Sequence, residues 1–181
     1  EDHVLAIFKD GTYYTTSSDL SSRYQGDLLK IEKLDVNKVY TVLYFDKAVG
    51  AFYVKRFSFD VSDNTPVSFI ADSKGSYLVA ISDDRHPQFE ITFGGKNVNR
   101  DAEKVDAEEF IAKKGLQAKG KKVSALDVKS VVFIEPLHKP EDDIIEDVSE
   151  AENQAGEIDN SDVEDPIVID FPDEDMQLSQ F

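Results

Sequence analysis

The chain has 181 residues and no cysteine, and its 37 acidic residues against 20 basic ones give a formal net charge of −17. The absence of cysteine excludes disulfides and thiolate metal sites, and no apolar run reaches the ~18–20 residues that a membrane-spanning helix needs. We therefore expect a cytoplasmic protein that does not enter a membrane. The chain starts at Glu1 without a methionine, which favours a fragment of a longer protein.

The charge is unevenly distributed. Residues 141–181 hold 16 acids and no lysine or arginine, whereas residues 1–140 hold the other 21 acids and all 20 bases. A segment this highly charged cannot bury enough apolar surface to offset the conformational entropy that it would lose on becoming ordered. We therefore predict a nearly neutral domain over 1–140 and a largely disordered acidic tail over 141–181, with Pro140 as the boundary.

Paired strands dominate the first part of the chain. "VLAIF" (4–8) and "TYYTT" (12–16) form a predicted hairpin, in which Asp10-Gly11 supplies the turn with positive φ. Two more hairpins and two single strands follow in chain order: "VYTVLYF" (39–45) with "AFYVKRFSF" (51–59), "VSFIA" (67–71) with "SYLVAIS" (76–82), then "FEITF" (89–93) and "SVVFIEPL" (130–137). Units of roughly 40 residues are typical of propeller-like blades or a small sandwich, so we predict an all-β fold.

One short helix is predicted over 107–114. Asp106 is a good N-cap, and Glu109 completes a capping box three residues later. Lys113 and Lys114 would occupy the last turn, and Gly115 would end the helix in the left-handed conformation.

The sequence shows no catalytic or metal motif. His3, His86 and His138 are far apart and lack a ligand spacing, so no metal site is predicted. Neither a P-loop, a G-x-S-x-G nor a G-x-G-x-x-G pattern occurs. We expect that this fragment is not itself catalytic and binds no cofactor.

Several motifs resemble a known family in matching order: "VLAIFKDGTYYTTSSDL", "GDLLKIEKLDVNKVYTVLYFD", "FYVKRFSFD" and "DAEEFIAKKGLQAKGKKV". They resemble the C-terminal domain of the A-type subunit of bacterial type II topoisomerases, gyrase and topoisomerase IV, as found in the Bacteroidetes group. The resemblance covers about residues 3–137. It implies a β-pinwheel, with propeller-like four-stranded blades that exchange a strand between neighbours, here as a partial set of blades.

The resemblance also implies the function. A domain of this family binds and bends double-stranded DNA and presents a segment of it to the catalytic core. Its partners would be the rest of its own A-type subunit and the B-type ATPase subunit. The whole enzyme would be associated with the nucleoid, and its ATP and Mg²⁺ would bind outside this fragment. Cleavage in the family uses a tyrosine preceded by arginine in an upstream domain, and Arg23-Tyr24 lacks that context.

The candidate DNA contacts form a basic cluster without acids between its members: Lys113, Lys114, Lys119, Lys121 and Lys122. Lysine suits phosphates rather than base edges, and Gly115 and Gly120 would let the backbone approach the duplex. The wrapping box of gyrases, Q-R-R-G-G-K-G, is not matched, since the arginines are missing, which favours bending over chiral wrapping. A second group of candidates lies elsewhere: Lys55, Arg56, Arg85, Lys96 and Arg100.

Three further interpretations remain open. Propeller-like domains also serve as protein-interaction modules, and a nearly neutral body suits that alternative. The end of the chain, "QLSQF" (177–181), resembles the peptide by which bacterial proteins dock on the sliding clamp, with Gln177, Leu178 and Phe181 as its matching anchors. The acidic tail is expected to compete with DNA for the basic cluster and so to modulate binding.

Overall fold

The computed structural model describes residues 2–18 and 23–142. The chain divides into two units, Glu1–Lys139 and Pro140–Phe181. The first unit contains, in chain order, β1 His3–Phe8, β2 Thr12–Ser17, β3 Leu28–Lys33, β4 Tyr40–Asp46, β5 Ala51–Phe57, β6 Val67–Ser68, β7 Tyr77–Ser82, β8 Gln88–Phe93, a 3₁₀ turn Gly95–Asn97, β9 Glu103–Asp106, α1 Ala107–Phe110, β10 Lys121–Lys122 and β11 Val128–Ile134. No helix among the described residues is both long and apolar enough to cross a membrane.

The strands form three antiparallel sheets. Sheet A has the order β3-β1-β2-β6, sheet B the order β10-β5-β4-β7, and sheet C the order β11-β8-β9. Between β5 and β7 the chain leaves sheet B to place β6 in sheet A, and between β9 and β11 it leaves sheet C to place β10 in sheet B. Each of the first two sheets is thus completed by a strand from the next one. The all-β pinwheel with exchanged strands is confirmed.

The predicted hairpin of "VSFIA" with "SYLVAIS" is wrong. β6 pairs with β2, and β7 pairs with β4 in another sheet. Beyond β6, the N–H of Phe69 donates to the carbonyl of Gly11, at 2.9 Å. Two strands joined by a turn form a hairpin only when both belong to the same sheet. Strand exchange places β6 and β7 in different sheets, so they do not pair.

The other two hairpins are confirmed. In the turn between β1 and β2, Gly11 has φ +82°, and the side chain of Asp10 accepts a hydrogen bond from the N–H of Thr12 at 2.9 Å. β4 and β5 pair over their whole length. The strand β3, "LLKIEK", was not predicted, because it is an exposed edge strand with little apolar alternation.

The helix is much shorter than predicted. α1 is a single turn, and Ile111 already has an extended backbone. Asp106 is the N-cap as predicted, but its carboxylate accepts from the N–H of Glu108 rather than from that of Glu109. Ile111 is buried in the core beside sheets B and C, and the chain must then extend toward the edge of sheet B. Tertiary packing therefore overrides the local helix signal, and Lys113, Lys114 and Gly115 lie beyond the helix.

The hydrophobic core consists of two layers with sheet B between them. Leu5 of sheet A and Val42 of sheet B belong to one buried cluster. Leu43 of sheet B and Phe89 of sheet C belong to the other. Because both faces of sheet B are covered, β4 is buried at nearly every position instead of at every second one.

Candidate nucleic-acid interface

The basic cluster lies along the outer edge of sheet B. The chain from Lys114 to Val123 runs antiparallel to β5. At one end the N–H of Lys114 donates to the carbonyl of Arg56 at 2.8 Å, and at the other the N–H of Val123 donates to the carbonyl of Phe52 at 3.0 Å. Its two-residue strand β10 is the edge strand of the sheet. All five lysines of the cluster are exposed. The structure therefore presents them together on one sheet edge.

Lys121 and Lys122 point to opposite faces of that edge. Lys121 lies opposite Val54 in the register and Lys122 opposite Tyr53, so their side chains alternate. The Lys121 ammonium is 3.9 Å from the centroid of the Phe110 ring and donates to the carbonyl of the same residue at 3.3 Å. Positive charge is thus available on both sides of the sheet edge.

Lys119 already has an anionic partner. Its Nζ lies 3.2 Å from Oδ2 of Asp46 and 4.8 Å from the centroid of the Tyr53 ring. The hydrogen bond with Asp46 raises the pKa of Lys119. Burial alone would raise the pKa of Asp46, but hydrogen bonds from Ser73 and Lys119 outweigh it, so the net shift is downward. Both groups are charged at neutral pH, and the charge of Lys119 is locally compensated.

Lys113, Lys114 and Lys122 carry uncompensated charge. Among the described residues, none of these three side chains forms an ion pair. They are therefore the strongest candidates for phosphate contacts, because DNA would displace neither a carboxylate, as at Lys119, nor the carbonyl and ring of Phe110, as at Lys121.

Gly120 lies close to the backbone of β5. Its φ is +90°, and a Cβ atom there would lie 2.3 Å from the carbonyl oxygen of Val54. Glycine is required at this position so that the chain can pass close to β5. Gly115 has open space around it.

The second group of candidate DNA contacts contains a buried, a half-buried and three exposed side chains. Lys55 is only 4% exposed, so it does not lie on the outer surface where a DNA contact was expected. Its neighbour Arg56 points to the other side of β5, is half-buried, and donates from Nε to Oγ1 of Thr41 at 3.3 Å. Three candidates are exposed on turns away from β10: Arg85, Lys96 and Arg100.

Lys55 is held inside by backbone carbonyls. Its Nζ donates to the carbonyls of Phe69 and Leu116, each at 2.7 Å. Burial lowers the pKa of Lys55 to about 8. Sequence alternation could not identify this lysine as internal, because sheet B is buried on both faces.

Tyr24 is part of an aromatic stack. Its ring stacks on Tyr14 at 5.9 Å, and Tyr14 stacks on Phe8 at 5.1 Å. The Tyr24 hydroxyl is hydrogen-bonded to that of Thr16 at 3.1 Å. These contacts give Tyr24 a packing role.

The remaining titratable groups of the described residues do not form a metal centre. No group of three or more potential ligands is close enough to hold a metal ion in this part of the chain. His86 is buried and its Nδ1 contacts a carboxylate oxygen of Glu108. The clamp-docking candidates Gln177, Leu178 and Phe181, like most of the acidic tail, lie outside the described residues.

Comparisons with known proteins give one family match and a structural similarity. A chain similar in structure is the C-terminal domain of a DNA topoisomerase IV, with a TM-score of 0.46 and 10% sequence identity over 74% of this chain. This chain matches 46% of that chain, which is less than half of its length. No curated protein matches the sequence significantly. The model of the Bacteroidota topoisomerase C-terminal domain matches residues 1–135, and the chain therefore belongs to that family.

Proposed function

We propose that this domain is the non-catalytic, DNA-binding C-terminal part of the A-type subunit of a type II topoisomerase, which bends duplex DNA and presents a segment of it to the catalytic core. The observation that carries the proposal is the line of exposed lysines on the outer edge of sheet B, four of them without a carboxylate partner among the described residues. Membership of the topoisomerase family supports it.

The chemistry of the edge fits phosphates rather than bases. Lysine ammonium groups are strongly hydrated point charges on flexible stems, and they pair with phosphate oxygens in any sequence context. Binding should therefore be insensitive to sequence and should weaken steeply with salt, since each neutralised phosphate releases condensed counterions.

The remainder of the enzyme would supply the chemistry. We infer that the domain's partners are the rest of its own polypeptide, which cleaves DNA, and the B-type ATPase subunit. ATP and Mg²⁺ would bind on those parts, and the enzyme would act on the nucleoid. The cleaving tyrosine would likewise lie outside this domain.

The test removes two uncompensated lysines. The double variant Lys113→Ala/Lys122→Ala should reduce the slope of log K against log salt by up to ~1.8, at about 0.9 for each lost phosphate contact. Lys9→Ala/Lys104→Ala is the matched control, because it removes the same charge from exposed positions in the β1–β2 turn and in β9 of sheet C. Equal slopes for the two double variants, measured by fluorescence anisotropy on duplex DNA, would refute the proposed interface.

We further propose that the acidic tail over 141–181 competes with DNA for the basic cluster. Its 16 acids belong to the same chain as a nearly neutral domain, and covalent linkage of two parts of a chain gives an effective concentration that reaches about millimolar. Deleting residues 141–181 should tighten DNA binding at low salt, with a gain that shrinks as salt rises. Equal affinities of the full and shortened chains at low salt would rule out this inhibition.

The deletion alone does not separate docking of the tail from long-range repulsion of DNA. Docking on the cluster should change the NMR shifts of residues 113–122 when the tail is removed, whereas repulsion leaves them unchanged.

A protein-interaction module is the second candidate function. The edge strand β3 exposes Leu28, Leu29 and Ile31 at 40%, 41% and 44%. An unpaired edge with exposed apolar side chains favours docking of another protein surface, for example the catalytic core of the topoisomerase. Loss of enzyme assembly in Leu29→Lys, with unchanged DNA binding, would support this candidate.

The sliding clamp remains a proposed partner through Gln177, Leu178 and Phe181. A peptide of residues 165–181 should change the NMR spectrum of the clamp if these anchors bind it. An unchanged spectrum would exclude the clamp as a partner.

A further inference from the structure

A cavity of about 330 Å³ opens where the two exchanged segments meet sheet B. One wall is residues 68–73, from the end of β6 onward, and another is residues 116–119, which precede β10. Tyr44, Asp46 and Lys55 line it from β4 and β5. The cavity therefore lies against the basic edge but is deeper than the exposed lysines.

The cavity contains a buried cation without an anionic partner. Lys55 is 4% exposed and uses two of its three N–H groups on the carbonyls of Phe69 and Leu116. No carboxylate of the described residues forms an ion pair with it, and burial is the one cause that lowers its pKa to about 8. At pH 7 this group is an ammonium ion in a site where a charge is normally paired.

A second ammonium group lies at the mouth of the same cavity. The Lys119 side chain is 52% exposed and forms its ion pair with Asp46. Ser73 also donates to Asp46, at 3.0 Å, so this carboxylate keeps a hydrogen bond when Lys119 turns away. The other acid of the lining, Asp72, is exposed, where water screens its charge.

We propose that this cavity binds a phosphate group, with the third N–H of Lys55 at its floor and the ammonium of Lys119 at its mouth as the ligands. A phosphate oxygen would supply the counter-charge that Lys55 lacks. The phosphate belongs either to the backbone of bound DNA, which rests on the proposed function, or to free inorganic phosphate, which does not.

The first experiment titrates the full ¹⁵N-labelled chain with inorganic phosphate at pH 7 and constant ionic strength. The amide signals of residues 70–73 and 117–119 should shift in a saturable way. A ligand that binds only the folded state raises the unfolding midpoint, by about 3 °C or more at tenfold excess over Kd. A wild-type chain without saturable shifts would overturn the proposal.

Variants locate the effect. Lys55→Met should abolish the phosphate response, and Lys119→Met should weaken phosphate affinity at least about threefold, with Lys9→Met as a control that keeps the wild-type response. If Lys55→Met does not fold, the titrations of Lys119→Met and of the wild type show whether the cavity binds phosphate. An unchanged response in Lys119→Met and in a folded Lys55→Met would show general screening by salt and refute the site.

A competition experiment separates the two sources of phosphate. If a DNA phosphate occupies the cavity, inorganic phosphate at constant ionic strength should weaken duplex binding by the wild-type chain more than by Lys55→Met. If free phosphate is the ligand, the two should bind independently. Should the domain fail to bind DNA while the phosphate shifts persist, the proposed function fails and the phosphate site stands.

Discussion

Gly120 passes so close to β5 that a Cβ atom on it would lie 2.3 Å from the carbonyl oxygen of Val54. This approach fixes where the basic segment joins the sheet edge, since β10 follows immediately at Lys121. The glycine is thus a condition for the geometry of the lysines.

Gly120→Ala should lower the free energy of unfolding by at least about 2 kcal/mol, because it adds a backbone clash to the strain of an alanine at φ +90°. Gly115→Ala is the control in the same segment, with open space around it, and should change the stability by less than about 1 kcal/mol. Urea denaturation measures both. Similar losses in the two variants would contradict the close packing of Gly120 on β5.

Loss of the proton from Lys55 should make the protein more stable as the pH rises from 7 to 9.5. The pKa of this lysine falls from 10.5 to about 8 in the folded chain, so between these values the unfolded chain holds a proton that the folded chain has released. The unfolded state then binds more protons, and the unfolding free energy increases with pH, by about 2 kcal/mol at pH 9.5.

Lys55→Met should lack this increase, and the difference between the two pH curves is the measurement. The window ends below pH 10 because burial raises the pKa of Tyr40 and Tyr44, whose titration in the unfolded state then opposes folding. Parallel curves for the wild type and a folded Lys55→Met would mean that Lys55 is not desolvated.

The lysines of the cluster should contribute unequally to DNA binding. Lys122→Ala should reduce the salt slope by about 0.9, the value for one phosphate contact. Lys119→Ala should reduce it by less, since binding through Lys119 must first break its ion pair with Asp46. Salt titrations of the two single variants test this order, and a larger effect of Lys119 would show that its ion pair opens freely.

Asp83 should stabilise the contact between β3 and the end of β7. It accepts hydrogen bonds from Lys30 and Lys38, and these lower the pKa of its carboxyl to about 2. Because the folded-state pKa is depressed, the stabilisation is complete above pH 4 and is lost as the pH falls through 2.

Asp83→Asn should therefore cost about 1 kcal/mol at pH 7, a value reduced for solvent screening of a side chain that is one-third exposed. The gap to the wild type should narrow as the pH falls below 4. Asp101→Asn, at an exposed position without an ion pair among the described residues, is the control and should change the stability at pH 7 by less than Asp83→Asn. A gap for Asp83→Asn that stays constant with pH would exclude the ionic origin.

Local sequence was sufficient for the features that depend on near neighbours. Asp10-Gly11 between two alternating strands predicts the first hairpin, because only a residue that tolerates positive φ permits that turn. The separation of a nearly neutral 1–140 from an acidic 141–181 is a matter of composition. The lysine run from Lys113 to Lys122 is equally visible as a basic segment.

Tertiary structure alone decided which sheet each strand joins and which lysines face outward. The pairing of β6 with β2 and of β10 with β5 joins residues far apart in the chain, and local propensity carries no information on such partners. In β5 both faces are buried, so alternation does not distinguish the internal Lys55 from a surface lysine. The ion pair of Lys119 with Asp46 likewise exists only because strand exchange brings the basic segment to sheet B, where packing and charge, rather than local pattern, determine its partners.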